Sequence, residues 1–341
     1  MHIFRFLLYP FAMIYCGVTD LRNWLYDKGY KKSRKFDFPI ICVGNLTVGG
    51  TGKTPFIEYL TRLLAPFTPS LVSRGYRRST RGMVIGKLEH TAAQIGDEPF
   101  QILHKFPDMT VISDGNRNRA ISYLLDKGQT GVVLMDDGYQ HRKVEPGLNI
   151  IMCDYARPMW CDYVFPVGNL RESQKWIKRA HIIIVNKCPS DLSQIEADGI
   201  REMMNLYPDQ QLFFGTVVYG IMRRSDGSTL DEVLNPREVV LGVTGVSRPA
   251  PFYDELERRG FVVDRMNFSD HHPFTESDIK AIQKRACRIG AKSVITTEKD
   301  NTRMPEIPGL NVYYIPIELR ILLGQEKKLN QIIIDYVAGN K

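Results

Sequence analysis

The chain has 341 residues, 43% hydrophobic and 24% charged, which supports one large core or two ordinary ones and excludes a disordered chain. Its formal charge is +7, and most of the excess lies near the amino terminus, where Arg5, Arg22, Lys28, Lys31, Lys32, Arg34 and Lys35 face only Asp20 and Asp27. Charge gathered at one end beside an apolar run suits an anionic membrane surface rather than nucleic acid, for which no zinc-finger or stacking motif is present.

From Ile3 to Val18 the sequence is almost wholly apolar, interrupted by Arg5, Pro10 and Gly17, and it continues through Leu21, Trp24, Leu25 and Tyr26. A spanning helix needs about 20 uninterrupted apolar residues, and this run is shorter and carries a proline. No small-x-small cleavage site follows, and Tyr15 before Cys16 is too large for lipoprotein processing, so a secretory signal is not expected. A helix packed on its own domain and a helix lying in the membrane interface remain. Trp24 and Tyr26 suit the headgroup boundary and the lysines that follow suit anionic lipid, so residues 1–35 are expected to form a membrane-associated helix. The six cysteines contain no C-x-x-C pair, which argues against a disulfide framework or a zinc site and fits a reducing cytoplasm.

Apolar β-rich runs at residues 39–43, 70–73, 110–113, 131–135, 149–153 and 181–185 alternate with helical stretches. This pattern predicts a doubly wound, mostly parallel α/β sheet over residues 36–212. A β-rich stretch at 213–219, a polar turn at 224–228 and a short helical signal before Pro236 read as a β-hairpin-like linker over 213–236. A second series of strands, at 239–243, 261–264, 293–296 and 312–315, alternates with helices at 253–259 and 275–289. A second, smaller α/β domain is expected over 237–341, with functional loops at strand carboxyl ends in both domains.

Residues 39–44 form a buried-strand pattern, followed by Asn45-Leu46-Thr47-Val48-Gly49-Gly50-Thr51-Gly52-Lys53-Thr54 and a helix opened by Pro55. Strand, glycine-rich loop and helix in this order make a phosphate site, so the large domain is expected to be P-loop NTPase-like. Backbone N–H groups from Thr47 to Thr54 would face the phosphates, Lys53 would reach the β/γ oxygens and the Thr54 hydroxyl would ligate Mg²⁺. The usual first glycine of the motif is replaced by Thr47.

Asp136-Asp137 closes the strand at 131–135, where P-loop enzymes hold their metal, and such a pair is costly without a cation. Gly96-Asp97-Glu98-Pro99 and Glu172 add carboxylates, while Arg74, Arg77, Arg78, Arg117 and Arg119 add cations. His271 and His272 are adjacent, point differently and lack a third ligand at recognisable spacing, so zinc is not expected. Asn186-Lys187 is half of a guanine-reading motif, and a membrane-associated P-loop GTPase switch is the competing reading. The aspartate that motif requires is replaced by Pro189.

Taken in order, the segment Val43 to Pro55, Ser73-Arg74-Gly75-Tyr76, Gly96-Asp97-Glu98-Pro99, Asp136-Asp137-Gly138-Tyr139-Gln140-His141, Asp270-His271 and Thr297-Glu298-Lys299-Asp300 resemble the tetraacyldisaccharide 4'-kinase family, which carries the same Asn-Leu-Thr/Ser start to its loop. The resemblance implies an enzyme that moves the γ-phosphate of ATP, with Mg²⁺, to the 4'-hydroxyl of a tetraacylated glucosamine disaccharide 1-phosphate in lipid A synthesis. It implies a peripheral or monotopic protein on the cytoplasmic face of the inner membrane that binds no nucleic acid, and a monomer is expected. It also implies that Asp97 accepts the hydroxyl proton, that His271 from the other domain orients Asp97, and that Lys53 opposes transferring charge. Mg²⁺ would be held near Thr54, Asp137 and Glu172, while Asn45, Arg74, Arg117, Gln140 and His141 would line the phosphate or acceptor site. Nucleotide binding is expected to bring the two domains together.

Overall fold

The computed structural model describes residues 3–228 and 237–339, and the short helical signal expected before Pro236 lies outside them. A 3₁₀ turn (Ile3–Leu8) leads into α1 (Tyr9–Asp27), followed by β1 (Arg34–Lys35), β2 (Ile40–Gly44), α2 (Lys53–Leu63), β3 (Pro69–Ser73) and β4 (Val84–Ile85). Next come α3 (Ala92–Ile95), α4 (Asp97–Lys105), β5 (Thr110–Ser113), α5 (Arg117–Lys127), β6 (Val132–Asp136), β7 (Val144–Glu145), β8 (Leu148–Asp154) and β9 (Ile182–Asn186). The chain continues with α6 (Gln194–Met204), β10 (Gln211–Tyr219), β11 (Arg223–Arg224), β12 (Val239–Thr244), α7 (Ala250–Arg258), β13 (Val262–Asn267) and α8 (Glu276–Ile289). It ends with β14 (Ser293–Thr297), α9 (Glu298–Asn301), β15 (Asn311–Ile315), β16 (Ile317–Ile321) and α10 (Glu326–Ala338).

Two units result, Met1–Val217 with Leu319–Lys341, and Val218–Glu318. The first holds a sheet in the order β16-β10-β9-β8-β2-β6-β3-β5-β4. Every pairing from β10 to β5 is parallel, and β4 is antiparallel to β5. All five residues of β2, β6 and β9 are buried, as strands covered by helices on both faces must be. Alternation sorts the faces: Ile41 and Val43 pack with Phe56 and Leu60 of α2, while Ile40 and Cys42 pack with Ile121 and Leu124 of α5.

Residues 213–217 do not form part of a hairpin. Phe213 and Phe214 lie in parallel register with Ile184 and Val185 and are fully buried, because two apolar residues pointing to opposite faces suit a strand covered on both sides. The chain also returns to the large unit at its end, where Leu319, Ile321, Leu329, Ile333 and Val337 join the cluster that contains Phe213. The expected domain over 237–341 therefore gives up its last strand and helix, whose own pattern does not say which sheet they cover.

The second unit has a sheet in the order β11-β15-β14-β12-β13, parallel except for the short β11. Tyr253 and Leu256 of α7 cover one face and Ile279 and Ile282 of α8 the other.

Replacing fully buried Ile333 by alanine removes packing from the large unit, and the expected loss is about 2–5 kcal/mol. Denaturant unfolding should show that loss in the transition of the unit containing Trp176, with the other transition unmoved.

Candidate functional site

The loop between β2 and α2 is held from three sides. Asn45 is buried and its Nδ2 donates to the Thr47 carbonyl at 2.7 Å and the Gly49 carbonyl at 3.3 Å. The Val48 amide donates to the Asn169 carbonyl at 2.8 Å, and Thr47 forms an antiparallel bridge with Leu170. This bridge explains the missing first glycine: the backbone at Thr47 is extended, and a β-branched residue suits it. On the far side, Asn186 Nδ2 donates to the Thr51 carbonyl at 3.1 Å, and the Lys187 ammonium reaches the Gly50 carbonyl and, at 3.0 Å, Asp154. The half guanine motif is thus a brace for the loop. Gly52 has φ 92°, and a Cβ there would fall 2.0 Å from Asn186 Nδ2, so both conformation and space demand glycine.

Lys53 and Thr54 open α2, with the loop amides at the helix amino terminus. Lys53 Nζ lies 3.4 Å from Asn45 Oδ1 and 3.3 Å from Asp137 Oδ1. Because β2 and β6 are paired with Val43 opposite Asp136, the aspartates at the end of β6 meet the loop directly. Asp137 adopts φ 45°, a strained conformation that aspartate tolerates, and Arg171 donates to both its oxygens at 3.0 Å. Burial would raise its carboxyl, but Lys53 and Arg171 outweigh burial and hold it at about 2.

Asp136 is 4% exposed and is pushed the other way, above the usual carboxylate range, first by burial and then by the neighbouring Glu98. Its Oδ2 accepts from Ser73 at 3.3 Å, while its Oδ1 is buried without a hydrogen-bond partner. Asp97 and Glu98 form the first turn of α4, and Gly96 before them packs so closely on Gly75 that a Cβ would lie 2.8 Å from the Gly75 Cα. The Ser73-Arg74-Gly75-Tyr76 and Gly96-Asp97-Glu98-Pro99 segments are therefore one assembly beside Asp136. Arg117 is buried, and burial lowers its pKa while Asp136 opposes that shift. Arg74 is exposed, and its charge acts on both Arg117 and His141. Burial, then Arg117, lower His141 to about 4, so its ring is neutral at pH 7.

A buried carboxylate oxygen without a donor, beside a second aspartate and a hydroxyl-bearing helix terminus, fits a divalent cation shared with phosphate oxygens. Among the described residues no three His, Cys, Asp or Glu side chains form a metal cage. Mg²⁺ needs none, since it takes one or two carboxylates together with phosphate and water.

Glu172 behaves differently from the expectation for a metal ligand. It is 2% exposed, and both oxygens are engaged: Oε2 by Asn23 at 2.6 Å, and Oε1 by Arg179 at 2.7 Å and Gln140 at 3.1 Å. Its position is tied to α1 through the buried Asn23, whose side-chain oxygen accepts in turn from Arg142 at 3.3 Å. Gln140 spans the gap, since its Nε2 also donates to the Asn45 carbonyl at 3.0 Å. Sequence reading overlooked Asn23, Arg171 and Arg179. Their only signal was polar character beside apolar or acidic neighbours.

In the second unit, His271 has φ 59° and its amide donates to the Gly245 carbonyl at 3.2 Å. Lys299 Nζ lies 2.9 Å from His271 Nε2, and an ammonium can only donate in that contact. Asp300 braces the same loop by accepting from the Gly245 amide at 2.9 Å and the Thr244 hydroxyl at 2.8 Å. His272 instead stacks on Phe268 and meets Asp278 at 3.0 Å, a structural position.

A doubly wound parallel sheet whose central strand runs through a glycine-rich loop into a helix, with lysine and an aspartate pair at the loop, defines a P-loop phosphate-binding α/β protein. The family model for LpxK, tetraacyldisaccharide-1-P 4'-kinase, matches residues 4–338, and the chain belongs to that family. It is 42% identical over 354 residues to a tetraacyldisaccharide 4'-kinase of Bacteroides thetaiotaomicron, covering 98% of this chain and 93% of the relative. It is 43% identical over 350 residues to one of Bacteroides fragilis, with the same coverage. A crystal structure of LpxK from Aquifex aeolicus in complex with ATP superposes with a TM-score of 0.78 at 29% identity, covering 98% of this chain and 100% of that one. The chain is accordingly a kinase of lipid A synthesis, and the GTPase reading falls.

Asp136→Asn provides a test of the strained carboxylate. Asp136 has a folded-state pKa above its unfolded value, so the folded state holds the proton more tightly and stability falls as pH rises above the unfolded carboxylate pKa. The nucleotide-free variant should melt at a higher temperature than the parent, by a margin that widens between about pH 5 and pH 8. A margin independent of pH would refute the electrostatic account.

Proposed function

We propose that this chain transfers the γ-phosphoryl group of ATP to the 4'-hydroxyl of a tetraacylated glucosamine disaccharide 1-phosphate at the cytoplasmic face of the inner membrane. Family membership over residues 4–338 carries this reading, and the loop around Lys53 supplies its chemistry. The sugar oxygen forms a bond to the γ-phosphorus as the bond to the β-phosphate bridging oxygen breaks, and the hydroxyl proton passes to Asp97. The Thr47 to Thr54 backbone cradles the phosphates, and Lys53 and Arg117 oppose charge on the transferring oxygens. Thr54 and Asp137, with Asp136, would hold Mg²⁺, which when bound would neutralise phosphate charge. Glu172 acts in support of α1 and Gln140 rather than on the metal.

Membrane attachment is supported by α1. Its buried residues are Ala12 and Asn23, whereas Phe11, Ile14, Val18 and Leu21, like Leu7 in the turn before it, are each more than half exposed. The inward face is fixed by polar contacts, including Trp176 Nε1 to Asp20 at 2.5 Å and Arg22 to the Gln140 carbonyl at 2.9 Å. A helix with its apolar face outward suits the bilayer interface, and no helix among the described residues is long and apolar enough to cross a membrane.

With γ-labelled ATP and the disaccharide lipid in detergent micelles, Lys53→Ala and Asp97→Asn should each lower label transfer at least about a hundredfold, the scale of general-base and electrostatic contributions. Retained transfer in Asp97→Asn would remove Asp97 as the base. Chelating divalent cations should stop transfer in the parent enzyme and restore it on adding Mg²⁺. A Phe11→Ser/Ile14→Ser variant should lose binding to phosphatidylcholine vesicles while keeping its melting temperature.

A further inference from the structure

A concavity of ≈ 610 Å³ lies at the carboxyl end of α1, and four of its lining residues, Lys31, Lys32, Arg34 and Lys143, are cations. Tyr26 and Asn118 also line it, and no carboxylate does. Asp27, the acidic residue at this end of α1, is already engaged by Arg142 at 2.8 Å and Lys178 at 3.0 Å. The backbone sets Arg34 and Lys143 side by side. The parallel pair β1 and β7 sets Arg34 opposite Val144, the Arg34 amide donates to the Lys143 carbonyl at 2.9 Å, and Asn118 Nδ2 donates to that carbonyl at 3.1 Å. Arg34 itself bonds Ser122 at 3.0 Å and lies over the Phe36 ring. Like charges gathered in one concavity without a carboxylate among them repel, and an anion would relieve them.

The exposed rings of Trp24 and Tyr30 stack at 5.7 Å at the same end of the helix. Aromatic side chains with polar tips settle at headgroup depth, so an α1 lying in the interface brings this concavity to the level of lipid phosphates. We infer that the concavity is a binding site for the phosphate headgroup of an anionic phospholipid, which fixes how the enzyme sits on the bilayer. This rests on the membrane reading of α1 and adds to it a discrete site that includes Lys143, far from the amino-terminal charge cluster in sequence.

The experiment compares Lys143→Ala with Lys127→Ala, a control at an exposed lysine of α5 outside the concavity, using sedimentation with vesicles. On phosphatidylcholine vesicles containing phosphatidylglycerol, Lys143→Ala should bind about fivefold more weakly than the parent, the factor that corresponds to about 1 kcal/mol for one headgroup contact. Lys127→Ala should bind like the parent, and on pure phosphatidylcholine all three should bind alike. Equal weakening by the two alanines would show a diffuse field and overturn the site. So would a Lys143→Ala variant that raises KM for the disaccharide lipid in micelles while binding vesicles normally, since the anion would then be the substrate's own phosphate. A Phe11→Ser/Ile14→Ser variant that binds both vesicle types like the parent would overturn the membrane reading, an outcome separate from failure of the site.

Discussion

The register of β2 against β6 is the constraint on which the site depends. With Val43 opposite Asp136, the phosphate loop and the aspartate pair emerge side by side from the same edge of the sheet. Lys53 then has two neighbours, Asn45 and Asp137, and the second carboxylate, Asp136, is left buried with one oxygen unpartnered. Slipping this pair by one residue would exchange the two faces of β2 and separate the charges. The covering helices are what make that slip costly, because Ile41 and Val43 belong to one core cluster and Ile40 and Cys42 to another.

A second dependence runs from the site to the surface. The polar face of α1 is anchored through Asn23 and Glu172, and Gln140 joins Glu172 to the backbone of Asn45. The interior contact of this helix is therefore hydrogen-bonded and its exterior apolar, the reverse of a helix that covers a core. Such a helix gains little from water-facing burial within its own chain and much from an apolar phase outside it. The loop beneath it shares a buried polar network with the anchor, in which loss of one partner is expensive.

Much of this was legible in the sequence, for identifiable reasons. The phosphate loop announces itself because its glycines, lysine and threonine stand between a strand pattern and a helix, and each residue type has a local duty. The alternation of strands with helices gave the doubly wound sheet. What local pattern could not supply was long-range pairing. Phe213 and Phe214 looked like part of a connection, yet they enter the large sheet, and the final strand and helix return to it across the whole second unit. Asn186-Lys187 resembled half a base-reading motif because an amide and an ammonium can serve either nucleotide or backbone, and here both address loop carbonyls. Glu172 illustrates the same ambiguity: the sequence showed a carboxylate, but only the fold shows which donors already occupy it.

That occupancy separates supporting carboxylates from reactive ones. In the second unit, Asp300 is fully buried, and it accepts from the Thr244 hydroxyl, the Gly245 amide and the Thr297 hydroxyl while pairing with Arg303 at 2.5 Å. Glu172 is similarly saturated by Asn23, Gln140 and Arg179, and Asp154 by Lys187, Arg157 and the Ala156 amide. Each holds a loop in place with donors on both of its oxygens. Asp136 is as deeply buried as these, but it has a single hydroxyl donor and a second carboxylate beside it. Burial without saturation costs folding free energy in the ionised form, and a proton or an added positive charge reduces that cost. The site is thus prepared for a cation in the folded state, and the same shortage of donors that destabilises Asp136 in isolation is what would make metal-bound phosphate preferred there.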